Sequence, residues 1–156
     1  MPRWQAEQNP AFKQVIPYVV LEHQPTGRVF MTMRLGGDER LQGQCSIGLG
    51  GHIDEGESVM DCLYRELLEE VGLEREEIED TAFCGFIYSE ATEVDSVHVG
   101  MVFRAFIKRE TISCLEKDKL NGDWMNKQQL RKLRETGHME TWSVIAYDAL
   151  MREEDG

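Results

Sequence analysis

The stretch GHIDEGESVMDCLYRELLEEVGL, residues 51–73, contains the most strongly patterned helix of the chain. Ser58 and Asp61 resemble a capping box in which Asp replaces the usual Glu. Gly72 stands where helices commonly take a left-handed C-terminal residue. The pattern therefore predicts a helix over residues 58–71.

The glutamates of this helix share one side. At about 100° per residue, Glu70 lies about 40° from Glu66 in one direction and Glu69 about 60° in the other. An acidic stripe facing water is the ordinary explanation of such a pattern. However, like charges four residues apart cost about 0.2–0.5 kcal/mol, and the negative end of the helix dipole disfavours Glu69 and Glu70 by about 0.3–1 kcal/mol each. A bound divalent cation would reverse both effects, so the pattern favours a metal site.

The chemistry of these side chains indicates which metal and which reaction. Carboxylate oxygens select Mg²⁺ or Mn²⁺, and Mg²⁺ characteristically keeps several waters and is completed by substrate phosphates. Glu57, before the helix, adds a fourth carboxylate. Arg65 supplies a guanidinium fork that can pair with a carboxylate and fix its orientation. The segment therefore predicts metal-assisted phosphoryl chemistry.

Gly51, Glu57 and the run from Arg65 to Leu73 resemble the Nudix box at every defined position of its pattern. The resemblance implies a single MutT-like Nudix hydrolase domain over residues 1–156, built as an α/β/α sandwich with a mixed β-sheet. It also implies Mg²⁺- or Mn²⁺-dependent hydrolysis of a nucleoside diphosphate linked to another moiety, or of a related organic pyrophosphate. In this reaction, water attacks phosphorus.

The resemblance also implies roles for individual residues. It makes metal ligands of the Gly50 carbonyl and of the carboxylates of Glu66, Glu69 and Glu70. Glu66 or Glu70 would act as general base, Arg65 would orient a box glutamate, and Glu57 would bind through water or stabilise the loop. Some family members use an acidic residue outside the box, for which four candidates are present: Glu90, Glu93, Glu116 and Asp118.

Weaker candidates lie around the box. Arg34 and Arg40 flank a glycine-rich segment and could meet substrate phosphates, although solubility explains them equally well. His52 could contact the leaving phosphate or satisfy a loop carbonyl, and His98 is simplest as an outward strand residue or a hydrogen-bonded core histidine. The aromatic candidates could stack on a base, although aromatic residues in strands more often belong to the core: Tyr88, Phe103 and Trp124.

The rest of the chain predicts strands and two further helices. Residues 15–22 and 28–34 are rich in β-branched and aromatic residues around the turn sequence 24–27, which predicts a hairpin. Pro17 cannot donate to a ladder and is expected at an edge or strand start. Further predictions are strands at 81–88 and 97–107, an exposed loop at 108–123 and helices at 126–135 and 140–152, and the resemblance implies a strand near Trp124.

Composition narrows the functional classes. The 156 residues include 17 Lys and Arg against 29 Asp and Glu, a formal net charge of −12, which disfavours binding to duplex nucleic acid. Four cysteines without paired spacing predict neither a disulfide framework nor a zinc ribbon, and fit a reducing cytoplasm. No signal peptide or membrane span is recognisable. We therefore expect a cytoplasmic protein with a small nucleotide-like diphosphate substrate, no membrane partner and a possible homodimer.

Two other functions are compatible with the same fold. A non-catalytic binding or regulatory module is expected to lack box glutamates, and this box is intact. An isomerase resembling isopentenyl diphosphate isomerase needs a catalytic cysteine and a suitable set of histidines, which the sequence does not provide in a convincing arrangement. Hydrolysis is therefore the favoured prediction.

Overall fold

The strands and helices follow the sequence predictions closely in a computed structural model that describes residues 11, 13–35, 43–117 and 120–151. The strands are β1 (Gln14–His23), β2 (Val29–Arg34), β3 (Cys45–Ser46), β4 (Gly48–Gly50), β5 (Ile78–Ile87), β6 (His98–Ile107) and β7 (Leu120–Met125). The helices are α1 (Val59–Val71), α2 (Glu93–Ser96), α3 (Lys127–Thr136) and α4 (Thr141–Leu150), with a 3₁₀ turn at Arg75–Glu77.

One mixed sheet joins the described strands. Its main order is β3-β2-β1-β6-β5, with β4 also paired to β1 and β7 to β2. The central pair β1 and β6 is parallel along its whole length, from Gln14 opposite His98 to His23 opposite Ile107. The other pairings are antiparallel. The expected mixed sheet is therefore confirmed.

Strand β1 divides the interior into two cores because its side chains alternate between the two faces of the sheet. Tyr18 and Val20 pack in the cluster that contains the apolar side of α4. Val19 and Leu21 pack in the opposite cluster, against Leu63, Leu67 and Val71 of α1. Helices therefore cover both faces of the sheet, which confirms the α/β/α sandwich.

Helix α1 has the predicted ends. The Ser58 side chain accepts a hydrogen bond from the Asp61 amide at 3.1 Å, which satisfies one of the free N–H groups of the first turn. Gly72 closes the helix in the left-handed region, at φ 69°. The apolar side of α1 is buried on the sheet, so its acidic side is directed away from the core.

The predicted hairpin is confirmed, but the prediction for Pro17 is wrong. Pro17 lies within β1, a central strand, and is fully buried. The Pro17 carbonyl lies beside Gly50, and the pairing with β4 ends at the next residue, where Tyr18 stands opposite Gly50. On the β4 side the missing N–H therefore falls just beyond the last paired residue, which explains how a central strand that is paired with β6 throughout tolerates proline.

The predicted loop at 108–123 is only partly a loop. Its last residues belong to β7, which pairs with β2 so that Trp124 stands opposite Phe30. Strand β5 also begins earlier than predicted, at Ile78, and α2 has no counterpart in the prediction. The two C-terminal helices agree with prediction to within two residues.

Two further properties concern the chain as a whole. All four cysteines are free thiols. Among the residues with described positions, no helix is both long and apolar enough to cross a membrane.

Candidate active site

The glutamates of α1 lie beside the loop that follows β4. The loop passes so close to Glu66 that a Cβ atom on Gly51 would clash with Glu66 Oε1. Only glycine permits this approach without moving the carboxylate. Gly51 therefore fixes the place of Glu66 relative to the end of β4.

We expect Gly51→Ala to lower kcat by about 10²-fold, because displacing a reacting group by about 1 Å has an effect of that size. The clash involves the far end of a flexible side chain, so Glu66 can turn away and the melting temperature should change little. Steady-state kinetics and thermal melting check both parts. A wild-type kcat would contradict this role of Gly51.

Arg65 holds the box together. Its Nε and Nη2 atoms donate to the two oxygens of Glu57 at 2.7 and 2.9 Å, a bidentate pair. Its Nη1 atom donates to Glu66 Oε1 at 3.0 Å and to Glu69 Oε2 at 3.3 Å. With Asp54 Oδ2 at 3.4 Å from Nε, the structure places Arg65 among four carboxylates, an arrangement that suits an orienting group.

Glu57 connects Arg65 to the turn before α1. It accepts a hydrogen bond from the Asp54 amide at 3.0 Å in addition to the Arg65 pair. The Arg65 hydrogen bonds, followed by the backbone bond, lower the pKa of Glu57 to about 2. Glu57 is therefore ionised at neutral pH, and its oxygens are occupied in holding the loop.

Glu66 and Glu70 have the opposite electrostatic environment. Burial raises the pKa of Glu66, although Arg65 opposes the effect. Burial, followed by the Glu66 charge and a hydrogen bond with Glu66, raises the pKa of Glu70 to about 8. The two carboxyl groups are close, partly buried and mutually repulsive when ionised, so a cation is needed to keep both charged.

This pair fits a divalent cation, although no complete ligand set is formed by side chains alone. Among residues 13–35, 43–117 and 120–151, no three His, Cys, Asp or Glu side chains converge as a metal site. Glu69 is turned toward Arg65, and its side chain is 58% exposed. Backbone oxygen, water and substrate phosphate would have to complete the coordination of Mg²⁺, as is usual for this ion.

Glu116 is the candidate outside the box whose charge contributes to the raised pKa of Glu70, and Glu93 lines the same cavity as Glu70. The neighbouring Leu115 amide donates to the Glu70 carbonyl at 2.9 Å and fixes this loop to the end of α1. Glu90 instead accepts a hydrogen bond from the Tyr88 hydroxyl. Asp118 lies outside the described residues.

A cleft of about 790 Å³ opens beside Glu70. Arg34 lines it, at the end of β2, and the described residues provide no ion-pair partner for its guanidinium. The structure thus places one predicted phosphate ligand, Arg34, and two predicted metal ligands, Gly50 and Glu70, around the same cleft. Arg40 lies outside the described residues.

The aromatic candidates do not line this cleft. Phe103 and Trp124 belong to the core, and Tyr88 is exposed outside the cleft. Tyr18 and Trp142 occupy the wall instead. Neither residue is predictable as a wall residue from the sequence, because they come from β1 and α4, which meet only after folding.

The two histidines near the box contact each other. His52 Nε2 lies 3.1 Å from His98 Nε2. The two histidines are 46 residues apart and share only their residue type, so the sequence does not predict their contact. His98 is hydrogen-bonded and buried, as one of its two interpretations predicted.

Comparison with known proteins is consistent with this geometry. A model of the NUDIX domain family matches residues 14–147. The chain is 34% identical over 160 residues to Protein YmaB of Bacillus subtilis (strain 168), covering 96% of this chain and 77% of that protein. The chain therefore belongs to the Nudix family.

Solved structures agree with the family assignment. The crystal structure of Tm1382, described as a Nudix hydrolase, matches with a TM-score of 0.81 and 33% identity over 98% of this chain and 78% of that one. The E. coli dihydroneopterin triphosphate pyrophosphohydrolase has the same fold, with a TM-score of 0.62 and 17% identity over 89% of this chain and 98% of that chain. The family and its neighbours identify the protein as a pyrophosphohydrolase, a class that generally uses divalent cations.

Proposed function

We propose that this protein uses Mg²⁺ or Mn²⁺ to hydrolyse a nucleoside diphosphate linked to another moiety, or a related organic pyrophosphate. The observation that carries the proposal is the pair Glu66 and Glu70, two partly buried carboxyl groups whose charges need a cation, at the edge of a cleft that also contains Arg34. We take the whole chain, residues 1–156, as one catalytic domain.

The proposed roles follow from the contacts of each residue. Glu66, Glu69, Glu70 and the Gly50 carbonyl would hold the metal, which lowers the pKa of a bound water and neutralises charge on phosphate. Of the two candidates for the general base, Glu66 and Glu70, we propose Glu70, because it lines the cleft beside Arg34 whereas Glu66 accepts a hydrogen bond from Arg65.

The positively charged side chains have different proposed roles. Arg34 would bind a substrate phosphate in the cleft, and we propose the same for Arg40. Arg65 and Glu57 orient the box, because they bind each other and the loop. The proposed partner is a small nucleotide-like diphosphate, with no duplex nucleic acid and no membrane. A homodimer remains part of the proposal.

The direct test uses water labelled with ¹⁸O. The purified protein is first tested with nucleoside diphosphate sugars, dinucleoside polyphosphates, dinucleotide coenzymes, nucleoside triphosphates and capped RNA, each with Mg²⁺ and with Mn²⁺. The best substrate is then hydrolysed in labelled water, and mass spectrometry locates the label. We expect one labelled phosphoryl product. Substrate consumption without label in any phosphate would refute hydrolysis.

Arg65→Lys is expected to slow turnover by about 10- to 100-fold, the usual range for a group that orients a metal ligand. Lysine keeps the charge but cannot form the bidentate pair with Glu57. Mg²⁺ affinity should fall much less than kcat, which kinetics and metal titration measure separately. Arg75→Lys is the control, since Arg75 lies over the Tyr64 ring and its ion pair is with Asp61. A metal Kd raised in full proportion to the loss of rate would contradict the orienting role.

A further inference from the structure

His98 is a buried histidine whose proton can be placed from its contacts. It begins β6 and is 7% exposed. Its Nδ1 atom lies 2.7 Å from the Val94 carbonyl oxygen of α2. A carbonyl oxygen can only accept, so Nδ1 carries a proton and donates. In the neutral ring, Nε2 then presents a lone pair.

The His52 ring donates a hydrogen bond to that lone pair. The two Nε2 atoms are 3.1 Å apart, and the rings meet edge to face at 68°. Because His98 Nε2 accepts, His52 Nε2 must donate. The geometry thus requires opposite tautomers in the two neutral rings, with the proton on Nε2 in His52 and on Nδ1 in His98.

His52 belongs to the loop that holds the box residues together. Its carbonyl accepts hydrogen bonds from Arg65 Nη2 at 2.9 Å and from the Cys62 thiol at 3.5 Å. The same guanidinium donates to Glu66. The adjacent Gly51 is in close contact with the Glu66 carboxylate. A displacement of His52 would therefore move Glu66 both through the Arg65 guanidinium and through Gly51.

His98 is the rigid end of this arrangement. Its backbone lies in the parallel ladder opposite Gln14, and its ring is fixed by Val94. His52 lies in the loop between β4 and α1, outside the strands and helices. We propose that His98 is a positioning residue: through the His52 ring it holds the loop that places Arg65 and Glu66 for hydrolysis. This proposal rests on the function proposed above.

Two substitutions separate the two hydrogen bonds of His98. His98→Gln can place its amide oxygen near the former Nε2 and accept from His52. His98→Asn can place its amide nitrogen near the former Nδ1 and donate to Val94, but it has no acceptor that reaches His52. Both introduce an amide at the same buried position, so a purely structural role predicts similar losses in both variants.

We expect His98→Asn to lower kcat by about tenfold, near the low end of the range for partners that orient metal ligands. KM should stay within about twofold, because this loop is not part of the cleft wall. We expect His98→Gln to rescue kcat to within about threefold of wild type. Equal losses in the two variants, or losses that follow their melting temperatures, would overturn the proposal.

A spectroscopic measurement tests the same proposal without substrate. In ¹⁵N-labelled protein, NMR should detect a scalar coupling between the two Nε2 nuclei across the hydrogen bond, together with the two opposite tautomers. His98→Asn should shift the Arg65 Nε–H resonance, and His98→Gln should leave it near its wild-type position. Absence of the coupling, or an Arg65 signal insensitive to His98→Asn, would refute positioning. A wild-type protein with both signals but no hydrolysis would instead refute the proposed function.

Discussion

Glu70→Gln is expected to lower kcat by about 10²- to 10⁴-fold, the range for loss of a general acid or base. Glutamine has nearly the same shape, but it cannot take a proton from water and is a weaker metal ligand. The fold should survive because the neutral amide replaces a carboxyl group that is disfavoured when charged. Kinetics with the best substrate, at several Mg²⁺ concentrations, measure the effect.

The same substitution at the other box glutamates, and at one control residue, should have different effects on turnover. Glu66→Gln should be about as damaging, whereas Glu69→Gln should mainly raise the Mg²⁺ requirement because Glu69 is exposed and turned toward Arg65. Glu76→Gln makes the same charge change on an exposed residue outside the site. Wild-type turnover by Glu70→Gln at subsaturating Mg²⁺ would refute the assignment.

The parts of the site that could be predicted are those set by local sequence. Residues 51–73 contain both ends of α1, its apolar side and its glutamates, so a helical period and two caps were sufficient. The contacts of Arg65 with Glu57, Glu66 and Glu69 also lie within this segment. Short sequence separation made these contacts predictable.

Features formed by distant segments were not predictable. The resemblance implied a strand near Trp124, but the first residues of β7, LNGD, were predicted as loop because they have little strand character of their own and form a strand by pairing with β2. The cleft brings Tyr18 of β1 beside Trp142 of α4, with ring centroids 5.6 Å apart. The bond between His52 and His98 likewise depends on where β6 begins relative to the box loop. The periodicity of a single sequence does not indicate which distant residues come into contact after folding.

Without a divalent cation, the protein is expected to lose stability as the pH rises from about 5 to about 9. The pKa of Glu70 is raised from an ordinary 4.5 to about 8. Below pH 4.5, the group is protonated in both the folded and the unfolded protein, so it has no effect. Between these values, the unfolded chain releases a proton that the folded protein retains, so the folded state becomes progressively less favourable. The loss is complete above pH 8 and amounts to at most about 5 kcal/mol.

Mg²⁺ and Glu70→Gln should both remove this loss, for different reasons. Mg²⁺ binds the ionised form of the folded protein and raises its stability by mass action, most strongly at high pH. Glu70→Gln cannot ionise, so its melting temperature should vary less with pH and exceed that of the wild type above pH 8. Glu76→Gln should retain the wild-type dependence. Melting curves from pH 5 to 9, with EDTA or with millimolar Mg²⁺, provide the test. The melting temperatures of wild type and Glu70→Gln could instead fall equally between pH 6 and 9 in EDTA. Glu70 would then not be the group that causes the pH dependence, and its ionised carboxylate would not be the charge that Mg²⁺ neutralises.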